Sequence, residues 1–521
     1  MKTVMDHSFS VAPQAEIQRS SFDRSHGHTT TFDAGLLVPI YCDEVLPGDT
    51  FNMNMNAFAR LNTPIHPLMD NMYLDVHFFF VPYRQVWDNF RKFMGERVDP
   101  ADSIDYTVPQ RTCTPAVGNF EDYLGLPIGN SISYSDLPSR CYKHIYNEWY
   151  RDQNLIDSAD FVLTDVTQSG ANGLLRRGKR HDYFTSCLTA PQKGDAVTLP
   201  LGTQAPVTGL GVANGTFSVA SPTVYETDGT ASTTYTQAKL VDPASISQRL
   251  YVERDDNNTN YPNIRADLTD ATAVTINEIR QSFQIQKLLE RDSRSGSRYS
   301  EVVHSHFGVR FLDVTYRPEF LGGSSTPINI SPVAQTSSTD ATTPQGNLSA
   351  FGTAGIKGAG FTKSFTEHGI VMGIASVRAD LRYQQGINRA WSRSTRYDFY
   401  WPALAHIGEQ AVLNKEIYAD GSANDDLTFG YQERYAEYRY KPSQISGKMR
   451  SGVTGTLDAW HLAEEFGSLP TLNQTFIEEN PPIDRVVAVN TEPDLLFDSY
   501  FNLRCARPMP LFGVPGMMDR F

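Results

Sequence analysis

The sequence predicts a mainly β protein with long loop insertions and a few short helices. Two observations carry this reading. Several runs alternate strictly between apolar and polar residues, and the 521 residues include 37 Gly and 30 Pro to turn the chain, with 29 Phe and 25 Tyr suited to strands. Hydrophobic residues make up 40% and charged residues 20%, a globular balance that can fill a sizeable core. At roughly 150 residues per domain the length points to about three domains, although large β barrels run longer as single units.

Phe51, Met53, Met55 and Ala57 alternate with Asn52, Asn54 and Asn56, which predicts a strand with one buried face. Leu74, Val76, Phe78 and Phe80 alternate with Asp75 and His77 in the same way, until Pro82 removes a ladder donor. The period then changes. Val86, Phe90, Phe93 and Met94 recur at helical spacing through 83–96, with Gly95 as terminator, so a short amphipathic helix is expected over part of the barrel. A second helix is predicted over 275–292, where Thr275 and Glu278 form a T-x-x-E capping box and Ile276, Ile279, Phe283 and Leu289 lie near one face.

Residues 368–383 and 429–443 read as strands. The latter places Tyr431, Glu433, Tyr435, Glu437 and Arg439 on one face, and Arg434, Ala436, Tyr438 and Tyr440 on the other. Tyrosine and charge on both faces suit a strand with protein on both sides, making Tyr431, Tyr435, Tyr438 and Tyr440 candidates for a subunit interface; an amphipathic edge strand is the alternative. Two segments break the pattern. Residues 194–273, rich in Thr, Ser, Gly, Asn and Asp, read as a surface insertion separating 1–193 from 274–521, and 322–360, rich in Gly, Ser and Thr, as an extended path that depends on a partner for order.

The formal charge of −14 has the wrong sign for coating nucleic acid by bulk electrostatics, so any DNA contact must be local. Asp6, His7 and Ser8 interrupt any apolar leader, and no run approaches the ~18 apolar residues of a spanning helix, so neither a cleaved signal nor membrane insertion is expected. The five cysteines are scattered and never spaced C-x-x-C, which fits free, buried thiols in a reducing cytoplasm.

No phosphate loop, zinc helix, nucleophile elbow or dinucleotide fingerprint occurs, which lowers the case for catalysis or a cofactor. A β-sandwich glycosidase would need a carboxylate pair at a separation that sequence does not measure, and a secreted adhesin would need a signal. His26 and His28, and His304 and His306, have metal-chelating spacing but lack a completing ligand, so no metal is expected. The densest basic run supplies the DNA-facing candidates Arg176, Arg177, Lys179 and Arg180, with Tyr183 and Phe184 as stacking faces. The alternative for these cations is pairing with carboxylates across a subunit boundary.

Residues 19–51, 77–90, 174–187, 275–309, 317–323 and 429–450 together, in this order, resemble the major capsid proteins of gokushoviruses, a branch of the small circular single-stranded DNA phages called microviruses. The blocks cover the chain from near its start to beyond Arg450. One departure is local: after Cys187 a Pro-Trp-Pro-like continuation is expected, whereas this chain has Leu188, Thr189, Ala190 and Pro191.

The resemblance implies an eight-stranded antiparallel viral jelly roll with large insertions, assembled as a homo-oligomer into a T=1 icosahedral shell around packaged single-stranded DNA. It makes 194–273 the expected threefold protrusion and host-receptor contact, and the flanking regions the two parts of the shell domain with N- and C-terminal arms. Further expected partners are a small basic DNA-binding phage protein, which would account for the acidity of the shell protein, and a pilot protein, with assembly in the bacterial cytoplasm. The arm 1–25 and the segment 322–360 are expected to become ordered on neighbours.

Overall fold

The computed structural model describes residues 17–513, apart from most of 199–274 and positions 311, 313–314, 338 and 341–343. The chain forms two compact units, one made of 1–191 with 293–521 and the other of 192–292.

The first unit is built on β1 (Ser20–Asp23), β2 (His26–Phe32), β3 (Val38–Val45), β4 (Thr50–Leu61), β5 (Met72–Pro82), β6 (Glu319–Pro327), β7 (Asn329–Ala334), β8 (Leu348–Ser364), β9 (Gly369–Ala379), β10 (Glu409–Leu413), β11 (Thr428–Glu433) and β12 (Leu495–Arg507). In one sheet β1 and β2 both pair with β12, which is followed by β4, β8 and β7; the other runs β6, β5, β9, β3. Every one of these pairings is antiparallel. With β1 and β2 sharing one position beside β12, the chain fills five positions in the first sheet, β7 lying outermost beside β8, and four in the second, and it repeatedly crosses between them. This is the antiparallel jelly roll that the resemblance implied.

β4 shows why the sheets form. Phe51, Met53, Met55, Ala57, Ala59 and Leu61 are buried while the intervening residues from Asn52 to Arg60 are exposed, so the strand's period of two becomes one apolar face. That face meets residues from the other sheet, as in the 5.7 Å contact between the Phe78 and Phe361 rings. β9 is buried along its whole length. Val371, Ala375 and Val377 point into the core between the sheets, and Ile370, Met372 and Ile374 pack with Trp87, Phe120 and helix α1 (Leu137–Ile145). Protein on both faces accounts for its continuous apolar run.

Three expectations are corrected. Residues 83–96 form a 3-10 turn at Tyr83–Gln85 and a single α turn at Phe90–Phe93 in place of one helix. The indole of fully buried Trp87 donates to Asp165, and Asn89 donates to the same carboxylate at 2.8 Å, tertiary bonds that hold the intervening residues out of helical register. The strand expected over 429–443 stops at Glu433, because Tyr435 takes a left-handed conformation with φ 63° and a 3-10 turn follows at Ala436–Tyr438. The segment 322–360, expected to follow a partner-dependent path, forms strands within the chain over its described parts, β6 paired to β5 and β8 to β4. Its small residues permit this closeness: a Cβ on Gly360 would lie 2.0 Å from the Met53 carbonyl oxygen.

Residues 1–16 of the expected N-terminal arm lie outside the described residues, whereas Ser20–Asp23 pairs with the last strand. The expected insertion 194–273 falls mostly outside them. Within the second unit, Val207–Thr208 pairs with Arg265–Ala266, Leu210–Val212 with Val224–Glu226, and Arg254–Asp255 with Asn258–Pro262. The predicted capping box opens helix α2 (Ile276–Ser295): Thr275 N–H donates to Glu278 Oε2 at 2.7 Å, and Glu278 N–H to Thr275 Oγ1 at 3.2 Å. None of the helix's residues is buried, and Ile276 and Phe283 are largely exposed.

Candidate functional site

The basic run at 176–180 threads between the jelly roll and the loops that follow it in sequence. Arg176 Nη1 donates to the carbonyls of Ala34 and Glu479 at 3.3 and 3.2 Å. Arg177 Nη1 donates to Asp75 Oδ2 at 2.8 Å and to Ser376 Oγ at 2.7 Å, and Arg378 Nε reaches the same Asp75 oxygen at 2.7 Å. Burial pushes the Asp75 carboxyl up, but the Ser325 hydrogen bond and the two guanidiniums outweigh it and hold the pKa below its ordinary value. Lys179 is buried, with Nζ 2.7 Å from Glu464 Oε1 and 5.0 Å from the centre of the Phe476 ring.

Three of the four DNA-facing candidates are therefore engaged inside the subunit. Arg180 is the outward one, its side chain 55% exposed and 3.6 Å from Asp380. Tyr183 and Phe184, expected as stacking faces, are core residues: the Tyr183 hydroxyl donates to Glu416 at 2.8 Å, and the Phe184 and Tyr383 rings lie 4.7 Å apart.

The four interface candidates separate as well. Tyr435 is buried, its hydroxyl donating to the Tyr397 carbonyl at 3.2 Å, and Tyr431 is half-buried on β11, bridged to Leu188. Tyr438 and Tyr440 are half exposed. They belong to a lobe that sequence reading passed over, in which residues 389–401 fold against 434–450. Tyr435 and Tyr438 hold Tyr400 at ring distances of 5.3 and 6.1 Å, and Arg393 lies 4.4 Å from the centre of the Tyr438 ring. The signal was legible, because 389–401 interleaves Arg389, Arg393 and Arg396 with Trp391, Tyr397, Phe399, Tyr400 and Trp401.

His26 stacks at 5.2 Å on Phe501, while burial, with His26 nearby, lowers the pKa of His28. Among the described residues no group of three His, Cys, Asp or Glu side chains is arranged to hold a metal. All five cysteines are free, and Cys42, expected to be buried, is exposed on β3. Among the described residues no helix is long and apolar enough to cross a membrane.

The architecture, antiparallel sheets of six and four strands joined as a jelly roll, is of the class that viral capsid subunits share with lectins and cupins. The chain belongs to the phage capsid protein (F protein) family, whose model matches residues 10–517. It is 46% identical to capsid protein VP1 of Bdellovibrio phage phiMH2K, over 99% of this chain and 98% of that one. It is 42% identical to capsid protein VP1 of Chlamydia phage 1, over 99% and 98%, and 35% identical to that of Spiroplasma virus 4, over 98% and 97%. These relatives bear out the resemblance read from the sequence: the chain is a structural capsid protein that self-assembles, a component of the virion and not an enzyme.

Proposed function

We propose that the chain closes into a T=1 icosahedral shell around a circular single-stranded DNA genome, and that residues 194–273 form surface protrusions that attach the particle to its bacterial host. The observation that carries the shell reading is the match of the capsid family model to residues 10–517. Both jelly-roll sheets find all their strands within one chain. A closed shell with one identical copy in each symmetry-related position is the smallest icosahedral arrangement. Large apolar side chains remain outside that fold, among them Phe307 and Leu312, and a neighbouring copy covers them. The net charge of −14 leaves genome condensation to a separate small basic phage protein. That protein and a pilot protein join the shell during assembly in the host cytoplasm.

The test is electron microscopy and mass measurement of the chain expressed with its phage partners. Uniform isometric particles whose shell mass is about 3.5 MDa, sixty chains of 58.2 kDa, support the reading. Shells of several sizes, open sheets or persistent monomers overturn it.

A further inference from the structure

We infer that the aromatic and basic lobe of residues 389–401 and 434–450 is the surface that grips single-stranded DNA, with a base seated in the cavity beside Trp391 and Tyr440. This rests on the reading that the shell encloses single-stranded DNA. It moves the DNA contact from Arg176, Arg177 and Lys179, which are engaged within the subunit, to a surface that is open.

Three observations point to an unpaired polynucleotide. The first is charge: the two segments carry eight Lys and Arg against two carboxylates, Asp398 and Glu437, in a chain whose net charge is −14. Both carboxylates are committed. Asp398 accepts from the Ser394 and Thr395 N–H groups, and Glu437 accepts from Gln410 Nε2 at 2.7 Å and faces Arg393 at 3.7 Å. Arg396, Lys441, Lys448 and Arg450 are exposed and make no ion pair among the described residues. Such cations are placed to neutralise phosphates.

The second is aromatic exposure. Trp391 is 83% exposed, and Tyr397, Phe399, Tyr400, Tyr438 and Tyr440 are each at least half exposed. Cations lie over several of these rings, with Arg396 5.3 Å from the centres of both Tyr397 and Trp401. Exposed rings interleaved with cations are the stacking platforms of proteins that hold unpaired bases.

The third is a cavity of about 530 Å³ at the edge of the lobe, within the roughly 300–1,000 Å³ that small organic groups occupy. Trp391 and Tyr440, with buried Tyr183, Phe184 and Tyr383, supply its aromatic lining, exposed Arg450 a cation at its rim, and Asn388 and Gln444 amides that suit base edges. Two carboxylates are also on the wall: Glu416 is paired to Arg389 at 2.9 Å, and Glu437 is held by Gln410 and Arg393. A second copy of this chain is the other occupant to weigh, since Tyr438 and Tyr440 were interface candidates. The unpaired cations beside exposed rings favour a polyanion with stackable bases over a protein surface.

The experiment measures binding of fluorescent oligothymidylate to the purified full-length subunit across a salt series, alongside assembly of the same variants. Trp391→Ala with Tyr440→Ala is expected to weaken binding about tenfold or more, from the loss of base stacking. Replacing Arg396, Lys441, Lys448 and Arg450 by Gln is expected to flatten the salt dependence by about 0.7 per lost cation. Arg180→Gln should change neither, and shells should still form. Wild-type binding that survives the lobe substitutions, or that is lost on Arg180→Gln instead, overturns this inference and leaves the capsid reading intact. Variants that bind normally but no longer assemble overturn it in favour of a subunit interface. A wild-type chain that neither binds the oligonucleotide nor encloses DNA in shells overturns both.

Discussion

Arg177 and Asp75 stand 102 positions apart in the chain and meet at 2.8 Å, with both side chains largely shielded from water. Arg378 of β9 shares the same carboxylate oxygen and Ser325 donates to the other, so one carboxylate serves two guanidiniums. Asp75→Ala leaves two buried cations without a counter-charge and is expected to cost about 3–5 kcal/mol. Arg177→Met should cost less, because Arg378 still satisfies Asp75. Urea unfolding of the isolated subunit distinguishes the two. Since the folded pKa of Asp75 is depressed, its contribution is present above the unfolded value of 3.8 and is lost as the pH falls through the folded value.

Gly35 makes the crossing of 174–180 over the sheet possible. Its N–H donates to the Val377 carbonyl at 2.9 Å and its own carbonyl accepts from Arg177 N–H at 3.0 Å, in a left-handed conformation with φ 79°. A Cβ there would lie 2.1 Å from the Glu479 carbonyl oxygen. Gly35→Ala therefore combines left-handed strain of roughly 1–2 kcal/mol with a backbone clash. The expected outcome is a large loss of soluble subunit on expression at 37 °C, with a lowered melting midpoint in whatever remains.

The contrast between β4 and the basic run shows where sequence reading holds. In β4 each side chain's environment follows from its parity, so the alternation of Met53, Asn54 and Met55 contains the answer locally. The partners of Arg177 and Lys179, namely Asp75 and Glu464, come from remote positions, and nothing within 174–187 reveals them. Helix α1 was within reach, because Leu137, Cys141 and Ile145 recur at intervals of four and all are buried. The left-handed Tyr435 was not, since a tyrosine there breaks the local preference and only the surrounding packing holds it. The aromatic and basic lobe was legible in composition, but its two halves are distant in sequence and only the fold joins them.

Two kinds of buried group give the subunit opposing pH dependences. Burial lowers His144 and His77 from 6.5 to about 4. Both stay neutral in the fold while the unfolded chain takes up protons, so stability is present above pH 6.5 and falls as the pH drops toward 4, by up to about 3 kcal/mol for each. Asp494 runs the other way. Burial, with Asp33 and Asp484 nearby, raises it to about 6, so stability is lost as the pH rises from 3.8 through 6. His144→Gln is expected to shallow the acid side of the melting profile. Asp494→Asn is expected to raise the melting midpoint at pH 7.5 and leave it unchanged below pH 4. Melting curves of the isolated subunit from about pH 3 to 8 check both, and an acid profile unmoved by His144→Gln would show that this histidine does not set the acid side.

The proposed division of labour between shell and protrusion predicts the outcome of a deletion. Among the described residues, the strands of both jelly-roll sheets come from 20–82 and 319–507, and neither sheet takes a strand from 192–292. Removing 198–270 and joining the ends by a short flexible linker therefore leaves the described pairings of both jelly-roll sheets in place. The closure entropy of so short a connection is modest. The shortened chain is expected to form shells at close to wild-type yield by electron microscopy, and phage carrying it should no longer adsorb to permissive cells. Shells that still adsorb would remove host attachment from this segment. Aggregated subunits would instead show that residues in 198–270 complete the core on which the jelly roll depends.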